Sequence, residues 1–173
     1  MTSVQYVEYI IDNNWEPSIT GRAVDVPKPT ILRESSANTR RLNLDESDVL
    51  IIRDGGISNY EPQSFGWGGE RQVGRVTVDA RTTGEAGSTE GRERLWGYRG
   101  GAGSLGANEA ERYGGLQGEI KRILDTVRKG DQGYDIIRAS EQNDLSGQMG
   151  GQIWRGTTEV ILDTRAHQID PTP

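Results

Sequence analysis

Residues 73–82 (VGRVTVDART) alternate apolar and polar side chains, and residues 152–166 (QIWRGTTEVILDTRA) do so over a longer span. A period of two is the mark of a β-strand buried on one face. In the first segment Val76, Val78 and Ala80 point one way, and Arg75, Thr77, Asp79 and Arg81 the other. In the second, Trp154, Thr158, Val160 and Leu162 share a face, and Arg155, Thr157, Glu159, Asp163 and Arg165 share the opposite one. A chain with two such strands must cover one sheet face with other elements. The charged face is left to water or to another polar surface.

The covering elements are legible nearby. Residues 3–14 (SVQYVEYIIDNN) predict a short helix capped by Ser3, with Val4, Val7, Ile10 and Ile11 at helical spacing. Residues 108–129 predict the main helix. Asn108 and Glu111 form a capping-box-like pair, and Tyr113, Leu116, Ile120, Ile123, Leu124 and Val127 form one stripe. Gly130 is expected to end it. The β-branched run 49–53 (VLIIR) predicts a strand, broken by Asp54-Gly55-Gly56 and antiparallel to 73–82. Residues 134–139 (YDIIRA) predict a fourth strand. Ile31-Leu32 predicts an edge strand, because Pro27 and Pro29 argue against a central one. Residues 54–72 and 83–107 are glycine-rich and predict long exposed loops. The fold class is therefore α+β. A single mostly antiparallel or mixed sheet carries two helices on one face, in a single domain spanning 1–173.

Composition removes several function classes. The 173 residues hold no cysteine and one histidine, His167, which excludes thiolate zinc sites, disulfides, iron–sulfur clusters and multi-histidine metal sites. A net charge of -6 argues against a general duplex-DNA binder. No apolar run approaches the roughly 18–20 residues that cross a bilayer, and no signal peptide is read, so a soluble chain not secreted by the usual route is expected. The bases are arginine-biased, with Lys28, Lys121 and Lys129 the only lysines. The apolar fraction of 32% predicts a thin core completed by neighbouring subunits.

The motifs that resemble catalytic sites have simpler readings. Gly101–Gly106 (GAGSLG) fits G-x-G-x-x-G but has no strand leading into it, so it reads as loop. Asp79 with Glu159 and Asp163 is the one arrangement for a metal-dependent hydrolase or nuclease. A cross-strand charge ladder explains the same residues. His167 has no nucleophile on a strained elbow beside it. No catalytic residue, cofactor or bound metal is assigned. The aromatics Tyr60, Phe65, Trp67, Trp96 and Tyr98 lie in polar, glycine-rich surroundings. They are candidate interface residues, with Arg155, Glu159 and Asp163 of the charged face beside them. The alternative for some of these aromatics is to fold back and complete the core.

RVTVDART, followed by a glycine-rich loop, the amphipathic helix and two final strands, resembles the lambda-type tail terminator proteins of long-tailed viruses. The resemblance covers roughly residues 1–168 and rests on the order of elements. It implies a virion structural protein, assembled in the host cytoplasm, with no catalytic residues and no cofactor. Such proteins form a hexameric ring that ends the tail tube and presents a surface to the capsid neck. The partners implied are further copies of the chain, the tail tube protein and a neck or head-completion protein. DNA is only cargo passing through the lumen, and no membrane is involved. The acidic, arginine-biased composition fits a virus of a haloarchaeon. The long loop at 83–107 departs from the family. Another neck or tail-completion protein, or a monomeric adaptor, is therefore the alternative.

Overall fold

The computed structural model describes residues 2–20, 22, 24–34, 47–62, 70–84, 90–97, 113–127, 134–144 and 153–165. Five strands form one mixed sheet: β1 (Thr30–Arg33), β2 (Val49–Pro62), β3 (Glu70–Thr83), β4 (Tyr134–Asp144) and β5 (Ile153–Arg165). Their spatial order is β1-β2-β3-β5-β4, with β1 parallel to β2 and every other pair antiparallel. Three helices pack on the sheet: α1 (Ser3–Asn14), α2 (Glu90–Trp96) and α3 (Gly115–Thr126). The α+β class and the two expected helices on one face are as the sequence predicts. Among the described residues, no helix is long and apolar enough to cross a membrane.

The alternation of β3 and β5 orders the core. Across β2, β3 and β5 the register aligns Leu50, Ala80 and Gly156, then Ile52, Val78 and Thr158, all facing the helices. Tyr6, Val7, Ile10 and Ile11 of α1 and Leu116, Ile120, Ile123 and Leu124 of α3 close this layer. Each fully buried aliphatic side chain here contributes about 1.5–3 kcal/mol of transfer free energy. Apolar residues placed with regular period fill one continuous layer between the sheet and the helices. Pro27 and Pro29 both precede β1, an edge strand, as expected for a residue that cannot donate to a ladder.

Several boundaries differ from the sequence reading. Thr2, not Ser3, caps α1; its hydroxyl accepts from the Gln5 amide while the Gln5 side chain accepts from the Thr2 amide. Asp54-Gly55-Gly56 does not end β2. Asp54 pairs with Val76 and Ile57 with Gly74, so the two glycines lie opposite Arg75 alone, as a bulge that the ladder absorbs. Strands β2 and β3 therefore extend into the stretch expected to be loop. Strand β4 likewise runs on to Asp144 past a shift between Ile136 and Arg138. The predicted loop 83–107 contains α2. The main helix starts later than expected, at Gly115 with Gly114 as N-cap, so Tyr113 precedes it. Asn108, Glu111 and Gly130 lie outside the described residues.

Helix α2 and helix α3 meet backbone to backbone. Gly97, at φ 77°, ends α2 and donates its amide to Glu93 O at 2.7 Å. Gly115, at φ 67°, opens α3 where a Cβ would stand 2.6 Å from the Leu95 carbonyl carbon. Gly118 separates two opposing effects. Alanine in a helix interior is favoured over glycine by about 0.8–1 kcal/mol. A Cβ at Gly118, however, would stand 2.7 Å from the Tyr113 carbonyl oxygen, and backbone cannot swing aside as a side chain can. Such crowding costs about 1–3 kcal/mol. Gly118→Ala is therefore expected to lower the melting temperature; an unchanged or raised value would contradict this packing.

Candidate functional site

The outer sheet face carries one carboxylate at its centre. Asp79 lies on β3, opposite Ile51 of β2 and Thr157 of β5, and its side chain is fully buried. Strand alternation places Arg53, Arg81 and Arg155 around it on the same face. Arg155 Nε donates to Oδ1 at 2.7 Å, and Arg81 Nη2 to Oδ2 at 2.9 Å. Arg53 Nη2 lies 3.2 Å from Oδ2, and its own Nε is buried without a hydrogen-bond acceptor. The arginine side chains are 30%, 24% and 34% exposed for Arg53, Arg81 and Arg155. Three guanidiniums thus converge on one carboxylate, and Arg53 Nε also lies 3.8 Å from Glu34 Oε1. Beside them, Leu32, Val49 and Ile51 form a second small buried cluster on this face.

This geometry separates the residues of the hydrolase alternative. Glu159 pairs in register with Thr77 and lies 3.5 Å from Arg75 Nη1. Asp163 pairs with Val73, six residues along the strand from Asp79, or about 20 Å at the strand rise. Both Asp79 oxygens are engaged by arginines. Among the described residues, no group of three His, Asp or Glu side chains could hold a metal ion. The charge ladder is the arrangement found, closed around Asp79 more tightly than alternation alone indicates.

The other expected site residues fall in several places. Arg155, Glu159 and Asp163 stand on the outer face of β5. Trp96 ends α2 and packs against the core; its indole N–H donates to Gln117 Oε1, and its ring meets Trp154 edge-on, centroids 6.4 Å apart. It is spent on the core, the alternative open to the loop aromatics. Tyr60 lies in β2, opposite Gln72. Phe65, Trp67, Tyr98, His167 and the 101–106 glycine motif lie outside the described residues.

Sequence reading missed a second charged cluster, on the helix side. The Glu119 carboxylate of α3 is fully buried, and Arg22, 2% exposed, is ion-paired with it. Arg122 Nε donates to Glu119 Oε2 at 2.8 Å, and the Glu16 amide donates to Oε1 at 2.8 Å. Arg22 also donates to the carbonyls of Glu16, Pro17 and Tyr113. The cluster ties the proline-bearing stretch to α3. Burial works to raise the Glu119 pKa. The hydrogen bonds from Arg122, the Glu16 amide and Arg22 outweigh it, so the carboxyl titrates below its ordinary value. Glu119 in turn raises the pKa of Arg122. One signal was available: Glu119 lies three residues after Leu116 and four before Ile123, inside the apolar stripe.

A pocket of about 330 Å³ opens beside this cluster, between the stretch 22–27, α2 and Gly114-Gly115. Val24, Val26 and Pro27 give it an apolar wall, and Asp25, Asp48, Glu90 and Glu93 line it with carboxylates. Arg94 Nη2 lies 3.2 Å from Asp48 Oδ1, whose other partner is the Thr82 hydroxyl, donating at 2.6 Å. No family model matches the chain, and no curated protein is significantly similar to it.

Proposed function

We propose that this protein is a virion structural protein, a tail terminator of the lambda type whose copies close into a ring between the tail tube and the capsid neck. The observation that carries the reading is the order of elements. Helix α1, the proline-bearing stretch, the antiparallel pair β2–β3, the amphipathic helix α3 and the closing antiparallel pair β4–β5 come in the order that the family resemblance implies, with β1 and α2 in addition to it. The chemistry of the surface is compatible with it. A subunit that joins its neighbours head to tail needs two unlike surfaces. This chain has an arginine-rich cluster on one side of its sheet and a carboxylate-lined pocket on the other. In such a protein Asp79 holds arginines in place and takes no part in bond cleavage.

Assembly stabilises the folded chain by mass action. The melting temperature is therefore expected to rise with protein concentration over the micromolar range. A cooperative transition at the same temperature across a hundred-fold dilution would count against a self-assembling ring.

A further inference from the structure

The sheet is open, and its two edges differ. Among the described residues, β1 pairs with β2 alone and β4 with β5 alone. An unpaired edge carries a row of N–H and C=O groups that another strand can satisfy; short length, proline, lysine and bulges ordinarily blunt it. Strand β4 is eleven residues long, holds neither proline nor lysine, and keeps unbroken register from Arg138 to Asp144. The β1 edge is short and follows two prolines, but it has a seat beside it. The Thr30 amide donates to Asp48 O at 2.8 Å, so alternation turns the N–H and C=O of Ile31 and Arg33 outward. A groove of about 620 Å³ lies beside them, walled by Gln5, Glu8, Tyr9 and Asp12 of α1 and by Ile31 and Arg33. Tyr9 is 47% exposed there. A strand added to this edge would find main-chain partners along β1 and a groove for alternate side chains on the helix side.

Strand directions decide which strand fits. Strand β1 is parallel to β2, and the steps from β2 to β3, β5 and β4 are each antiparallel, so β4 runs opposite to β1. A second copy turned about an axis along the strands keeps its helices on the same side of the sheet and brings its β4 to β1 antiparallel. We propose that β4 of one copy pairs antiparallel with the β1 edge of the next, so that the sheet continues from subunit to subunit. The inference rests on the self-assembly reading and names the elements in contact. The contact is heterologous, so it propagates from copy to copy and closes where the rotation allows. A two-fold β4–β4 pairing would satisfy β4 as well, but it stops at a dimer and leaves the β1 edge and its groove unused.

The chain has no cysteine, so introduced thiols report the contact directly. Two full-length variants, Arg33→Cys and Glu141→Cys, are mixed and treated with a short bis-maleimide. Arg33 lines the groove, and Glu141 sits in the regular stretch of β4, opposite the core-face residue Thr158. Paired strands lie about 4.8 Å apart, so cross-links are expected between the two variants and not within Glu141→Cys alone. Arg33→Pro removes an outward N–H without touching the β2 ladder. It is expected to raise the concentration for half-assembly about ten-fold in sedimentation velocity. Arg33→Ala loses the same exposed ion pair with Glu8 and is expected to assemble as wild type does. Should Arg33→Pro fail to fold, as its melting curve will report, the cross-link decides alone. Cross-linking of Glu141→Cys to itself would assign β4 to a two-fold dimer and overturn the proposal. An assembled wild type without the mixed cross-link, or equal assembly of Arg33→Pro and Arg33→Ala, would overturn the contact and leave the ring reading standing. A wild-type chain that stays monomeric would overturn the ring reading and the contact with it.

Discussion

Replacing Glu119 by alanine is expected to destabilise the protein by about 3–5 kcal/mol, the usual cost of removing one partner from a buried ion pair. The effect is large because Arg22 is 2% exposed and cannot regain water without moving the stretch from Glu16 to Arg22. Arg122, better exposed, can turn outward. That cost is a large part of the roughly 5–15 kcal/mol that holds a typical domain folded. Urea denaturation should show the midpoint fall sharply, and an undiminished midpoint would mean that the cluster is not formed. The pH dependence has a definite sign. Glu119 has a folded-state pKa below its unfolded value of about 4.3. Its contribution is therefore fully present above that value and is lost as the pH falls through the folded-state pKa. Wild type should lose stability on acidification below about pH 4. Glu119→Gln should start less stable at neutral pH and lose less over the same window. Parallel curves for the two proteins would contradict the assignment.

Asp79→Ala is expected to be the second largest single effect, at about 2–3 kcal/mol. The loss arises differently. It strips three arginines of their shared acceptor and leaves like charges facing one another across β2, β3 and β5. The arginines are partly exposed and can relax into water, which sets the cost below that for Glu119. Salt distinguishes the two. Repulsion among partly exposed guanidiniums is screened, so added sodium chloride should recover part of the stability of Asp79→Ala. It should do little for Glu119→Ala, whose stranded charge is buried. Equal salt responses would show that Asp79 does not organise the outer face.

The elements most legible in the sequence were those with regular period. The alternation of β3 and β5 and the 3.6-residue spacing in α1 named the faces that form the core, and the antiparallel pairing of β2 with β3 followed from them. Length was less legible. Asp54-Gly55-Gly56 has the composition of a turn, yet a bulge opposite Arg75 accommodates it and the strand continues to Pro62. Helix α2 is too short to show a helical stripe, and it depends on Gly91, where a Cβ would stand 2.6 Å from Trp154 Cγ, a long-range fact. Alternation placed Asp79 on the correct face but could not give its burial, which depends on arginines from three strands converging above it. Glu119 was legible in principle, as an acid inside an apolar stripe. Its partner Arg22 was not, because it arrives from a stretch without periodicity.

The central claim is that copies of this chain close into a ring, and negative-stain electron microscopy of the purified protein, at low and at molar salt, tests it most directly. The account predicts closed rings of uniform diameter; the tail-terminator reading sets the number at about six subunits, and a heterologous contact whose rotation closes gives such a ring. A uniform field of single-subunit particles at both salt concentrations would contradict it.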